Sequence, residues 1–122
     1  MLGEALFRYS GLSPSDPKVE PYLALAERLD LPLGVHMGLS FPDMSHDPAS
    51  QYRVGLGSPL LLEAALLRHP KLRIFIMHAG WPFLDDAVAV MHAYPQVYVE
   101  SITTNATVKA TKLMVSPDEG TV

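Results

Sequence analysis

The chain has 122 residues, 48% hydrophobic and 18% charged, enough for one modest buried core. Thirteen acidic against nine basic residues leave a net charge of −4, which argues against a phosphate-backbone partner, so no nucleic acid is expected. The absence of cysteine excludes disulfides and thiolate chemistry, leaving imidazole, carboxylate or water for any metal, and no apolar run approaches the roughly 20 residues that cross a bilayer.

Pro14-Ser15-Asp16-Pro17 marks a turn and a helix start, with Asp16 or a neighbour as the cap. Tyr22, Leu25, Ala26 and Leu29 then recur at helical spacing and predict a buried face, with Glu27 and Arg28 in water. Leu31 to Met37 reads as a short strand. Gly38 to Gly57 holds Pro42, Asp43, Ser45, Asp47, Pro48 and Ser50, too many breakers for a regular element, and is expected to be a long loop. Ser58-Pro59 supplies a cap and a first helical residue for a helix whose inner face is Leu60, Leu61, Ala64, Ala65 and Leu67 or Arg68, ended by His69-Pro70. Leu72 to Met77 is a second strand. Pro82 opens a third helix with Asp85 and Asp86 in its first turns, where negative charge meets the positive end of the helix dipole. Phe83, Leu84, Ala87, Val88 and Met91 face inward on it, Tyr94-Pro95 stops it, and Val97-Tyr98-Val99 begins a third strand ending near Glu100 or Ser101. Helices alternating with strands, joined by crossovers of this length, predict parallel pairing in an α/β architecture.

His36 and His78 each close one of these strands, and they stand 42 positions apart. Consecutive strands of a right-handed βα array lie side by side, about 4.8 Å apart, and side chains at their carboxyl ends point to where α/β folds place their chemistry. The two imidazoles are thus candidates for one site able to hold a common ion or water. Each also has a plainer reading as a satisfied polar residue. Gly38 and Gly80, just after them, are expected to let a ligand approach the strand ends.

Pro21-Tyr22-Leu23-Ala24-Leu25-Ala26-Glu27, Gly34-Val35-His36-Met37-Gly38, Leu66-Leu67-Arg68-His69-Pro70-Lys71-Leu72-Arg73 and His78-Ala79-Gly80-Trp81-Pro82-Phe83-Leu84-Asp85 together resemble the amidohydrolase-related family of metal-dependent TIM-barrel hydrolases, the branch that includes aminocarboxymuconate semialdehyde decarboxylase. The resemblance runs from about Gly3 to about Ser101. It implies a partial (β/α)8 barrel, from the end of the fourth strand at Gly3-Glu4 through the seventh at Val97 to Glu100, with parallel strands and helices outside. It also implies that His36 is a ligand of a divalent metal, commonly zinc, and that His78 is a further ligand or the base that handles the water. A bound divalent ion brings the pKa of its water to about 7, so hydrolysis of a carbonyl-type substrate is the implied reaction, with decarboxylation as the alternative within the family.

The family's first strand has a His-x-His pair and its eighth a terminal aspartate, and neither occurs here. The histidines stand at 36, 46, 69, 78 and 92, and Asp118 follows no convincing strand. A catalytic zinc usually takes three protein ligands, so the chain reads as an incomplete barrel, 1–101, followed by a divergent tail, 102–122, with little or no activity alone. Its open sheet edges favour pairing with a second copy.

Trp81 is a candidate for the substrate pocket or for packing, and Arg53 for a two-pronged contact with a small-molecule carboxylate or for a solvated loop. Glu4 is a weak candidate for an acid near the site. His69 reads as a helix-terminus residue, His92 as helix surface and His46 as loop, and Asp43 and Asp47 around it match no calcium loop. Asn105-Ala106-Thr107 fits a glycosylation acceptor, but Met1 is followed by Leu-Gly-Glu with no basic and apolar leader, so a polar turn and a cytoplasmic location are expected. Gly55-Leu56-Gly57 before a helix hints at a phosphate turn, which keeps a non-catalytic α/β binding module as another reading; the third glycine of that motif is missing, Leu60 standing in its place.

Overall fold

A computed structural model describes residues 2–99, with side chains from Ala5 onward. The predicted end of the last strand at Glu100 or Ser101, the acceptor triplet at Asn105, Asp118 and the tail 102–122 lie outside the described residues. Four strands, β1 (Leu2–Ala5), β2 (Leu33–His36), β3 (Ile74–Met77) and β4 (Val97–Val99), form one sheet in the order β1-β2-β3-β4, all neighbours parallel. Three helices, α1 (Glu20–Arg28), α2 (Glu63–Arg68) and α3 (Leu84–Ala93), connect them. Each crossover returns the chain to the next strand position, so the order in sequence is the order in space.

The core lies between the helices and one face of the sheet. Leu33, Val35, Ile74, Ile76 and Val97 meet Leu23, Ala26, Leu62, Leu66, Ala87 and Val90, all of them buried. The opposite face is more open: Phe75 stacks on Tyr98 with ring centroids 5.2 Å apart, and Tyr98 remains exposed. The strands are shorter than expected because β2 starts after Pro32, which has no N–H to give a ladder, and β3 starts only at Ile74.

The first two helix faces are turned from the predicted ones, keeping Ala26 and Ala65, while the predicted face of α3 holds. On α1 the buried stripe is Val19, Leu23 and Ala26, whereas Tyr22, Leu25 and Leu29 are exposed, Tyr22 by 58%. Both sets fit a 3.6-residue period, and only the position of the sheet chooses between them. The second helical stretch repeats this: it begins as a 3-10 turn at Pro59–Leu62, and Leu62, Ala65 and Leu66 are buried while Leu60, Ala64 and Leu67 are exposed. On α3, Ala87 and Val90 are fully buried and Phe83, Leu84, Val88 and Met91 half-buried.

Caps were partly legible. Ser58 accepts from the Leu60 N–H and its hydroxyl donates to Asp86 at 2.8 Å, tying the start of one helical stretch to the first turn of α3. Ser58→Ala removes both bonds and is expected to cost about 1 kcal/mol, read as a lower urea midpoint at unchanged slope; an unchanged midpoint would contradict this. Asp16 does not cap α1. It accepts from the Lys18 N–H and closes the turn before the helix, which starts four residues later behind Val19. Pro82 does not open α3 either: the Trp81-Pro82 peptide is cis and the helix begins at Leu84.

His69 stands at the carboxyl end of α2, as expected from the sequence. It is also buried, with Nδ1 2.9 Å from Glu27 and Nε2 2.5 Å from Glu20. Arg68 bonds the other oxygen of Glu20, and the Lys71 N–H donates to Glu27. The residues just past α2 are thereby clamped onto α1.

Candidate active site

His36 is the last residue of β2 and His78 the first after β3, and these strands are neighbours with His36 opposite Met77 in register. The imidazole centroids lie 4.4 Å apart with planes tilted by 56°. His78 and Ala79 hold φ of 57° and 54° and Gly80 follows at 67°, three successive left-handed residues. For His78 and Ala79 this backbone costs roughly 1 kcal/mol or more each, and it is retained at the turn that aims His78 beside His36.

The two rings open into a cleft of about 330 Å³ whose other walls are Tyr9, Met37, Leu39, Ser40, Phe41 and Trp81. Trp81 and Phe41 are exposed at its mouth, 47% and 74%, and form an apolar rim around a polar floor. The Tyr9 ring meets His36 edge-on at 6.2 Å, and the Ser40 hydroxyl donates to the Tyr9 oxygen at 3.0 Å.

The structure brings together His36, His78 and Trp81. It places Arg53 elsewhere: the side chain bonds its neighbour's Tyr52 carbonyl at 2.7 Å and lines a separate surface cleft with Gly11, Gln51, Gly55, Leu56 and Leu61. Glu4 belongs to β1. His46 pairs with Asp43 at 2.5 Å in an exposed loop turn, and His92 is exposed at the end of α3.

Gly38 and Gly80 do not leave room for a ligand. A Cβ on Gly38 would fall on the Trp81 carbonyl, and one on Gly80 would meet Pro59 at 3.0 Å. A Cβ on Gly57 would strike the Gly38 carbonyl, so the second glycine of Gly55-Leu56-Gly57 serves backbone approach within the protein rather than a phosphate.

Sequence reasoning missed Tyr9, Ser40 and Phe41. Tyr9 lies in the 3-10 turn after β1 as His78 lies in the one after β3, so its position after Gly3-Glu4 was the available signal. Ser40 and Phe41 lie in the predicted loop, where only the fold decides which residues turn inward.

Two imidazoles suit a divalent ion such as zinc in kind, being nitrogen donors at the ends of adjacent strands. Among the described residues, no group of three or more His, Cys, Asp or Glu side chains is placed to hold a metal ion. No helix among the described residues is long and apolar enough to cross a membrane.

Comparison with known proteins agrees with this layout. None of the curated proteins matches the chain. Among solved structures, an uncharacterised TIM-barrel protein from Bordetella bronchiseptica is similar with a TM-score of 0.58 and 19% identity. The likeness covers 72% of this chain but 28% of that one, so the chain spans just over a quarter of a barrel protein. The four parallel strands with outer helices are therefore part of a TIM barrel, whose active sites gather at the carboxyl ends of the strands, where His36 and His78 stand. The amidohydrolase family model matches residues 4–110, past the Ser101 limit read from the sequence. By that match, the chain belongs to the amidohydrolase family.

Proposed function

We propose that the chain forms part of a metal-dependent hydrolase site, with His36 as a ligand of a divalent cation, zinc being the best candidate, and His78 as a second ligand or the proton-handling base. The observation that supports this is the contact of two imidazoles, 4.4 Å between centroids, at the carboxyl ends of adjacent parallel strands. A divalent cation at such a pair supplies polarisation of a carbonyl oxygen and activation of water.

The protein's own groups supply the rest. His78, fixed by its left-handed turn, is placed to hold or pass a proton at the cleft floor. Tyr9 and Ser40 present a hydroxyl pair to the polar end of a small-molecule substrate, while Phe41 and Trp81 offer apolar surface to the rest of it. Arg53 takes no part in this cleft.

Titrating the chain with zinc in a calorimeter tests the reading. Binding is expected to be weak, because this pair alone falls short of the usual three ligands. Removing one of two ligands in His36→Ala is expected to reduce binding below detection, with a smaller or equal loss in His78→Ala. Zinc binding that is unchanged in His36→Ala would sink the assignment.

A further inference from the structure

Arg8 lies in the 3-10 turn Phe7–Ser10 after β1 and is 2% exposed. Its guanidinium is forked over one turn of backbone: Nη1 donates to the Gly38 carbonyl, and Nη2 donates to the Leu39 carbonyl at 2.8 Å and to the Tyr9 hydroxyl at 3.3 Å. The rings of Tyr9 and Tyr52 face the cation at 5.1 and 5.4 Å.

The turn that Arg8 grips joins the loops around the histidines. The Gly38 N–H donates to the Gly57 carbonyl at 2.8 Å, and the Leu39 N–H donates to the Trp81 carbonyl at 3.3 Å. Gly38 is two residues after His36, and Trp81 three after His78. Leu39 and Ser40 continue from the same turn into the cleft wall.

Burying a guanidinium is costly unless its donors are satisfied, and an apolar side chain would fill the same space without that cost. What arginine adds is a planar pair of donors that binds two successive carbonyls at once, which the point charge of lysine cannot copy. We infer that Arg8 is a positioning residue for the candidate site: its fork on the Gly38 and Leu39 carbonyls sets the loop leaving His36 and, through the Leu39 to Trp81 bond, the loop leaving His78. The inference rests on the reading of these two histidines as the working pair.

The test uses the 122-residue chain, its Arg8→Met and Arg8→Lys variants, zinc alone as probe, and long-range imidazole nitrogen NMR. In Arg8→Met that remains folded by circular dichroism, zinc affinity is expected to fall about tenfold or more. The His36 and His78 imidazole signals should move while those of His69 and His92 stay, and Arg8→Lys should lie between. A folded Arg8→Met with native zinc affinity and unmoved His36 and His78 signals would overturn the inference. So would equal movement of all the histidines, which marks a general loosening. If the native chain binds no zinc through His36, the functional reading fails, and the imidazole shifts still decide the role of Arg8. Should Arg8→Met not fold, Arg8→Lys and the native guanidinium spectrum decide: separate, exchange-protected Nη signals support the fork, and averaged ones refute it.

Discussion

Gly38→Ala is expected to destabilise the chain by about 3 kcal/mol or more, from backbone strain and the loss of two hydrogen bonds. At φ of 91° the position lies outside the left-handed region that an alanine tolerates. The new Cβ would fall on the Trp81 carbonyl oxygen, with the Gly80 and Trp81 carbonyl carbons at 3.1 and 3.2 Å. Those atoms are backbone, so relief requires the two loops to separate, breaking the Gly38 to Gly57 and Leu39 to Trp81 bonds. The same movement pulls His36 from His78, and zinc binding should disappear with the stability. Chemical denaturation of Gly38→Ala is the measurement, and a midpoint equal to that of the native chain would contradict the close crossing of these loops. Gly57→Ala sets its Cβ against the Gly38 carbonyl instead, without a positive φ, and should destabilise by steric conflict alone.

His69→Ala is expected to cost about 2–3 kcal/mol, the range for losing hydrogen bonds to charged groups, discounted for the partial exposure of Glu20 and Glu27. Burial works to lower the His69 pKa, but the hydrogen bonds and charges of Glu27 and Glu20 overcome it and hold the imidazole above its ordinary 6.5. For Glu20, burial pushes upward and is outweighed by His69 and Arg68. Glu27 is lowered first by its bond to His69, then by the Lys71 N–H. Both carboxyls therefore sit below their ordinary 4.5.

The pH dependence follows by linkage. The histidine contribution is complete below about 6.5 and is lost as pH rises through its raised folded value. The carboxylate contribution is complete above about 4.5 and is lost as pH falls through the lowered folded values. Stability from this cluster should thus be greatest between these limits, and His69→Ala should flatten the decline on the alkaline side. A native chain as stable at pH 8.5 as at pH 5.5, with His69→Ala parallel to it, would remove the clamp from the account.

The strand-ending histidines were legible because a β-branched apolar run closing on a polar residue needs no partner to be recognised; Leu33 to His36 and Ile74 to His78 state it locally. The face of α1 was not, since Tyr22 and Leu23 sit on overlapping stripes with the same period. Arg53 illustrates a different limit: a loop arginine has a chemistry in the sequence but no address, and the chain fold turns it toward Gly11 and Gln51 rather than the histidines. His69 was legible as a helix end, but its partners Glu20 and Glu27 were not, because they are more than 40 positions away.

The alternation of helices and strands, their parallel order and the placing of His36 and His78 at two strand ends were determined by the sequence itself, because each depends on periodicity and breakers within a few neighbouring residues. Tertiary structure alone decided that these rings touch, that Arg8 and Tyr9 stand behind them, that Gly38 and Gly57 serve the crossing of loops, and that His69 is clamped between two carboxylates. Those are contacts between residues some 20 to 50 positions apart in the chain, and no local pattern encodes a distance that only the closing of successive βα units creates.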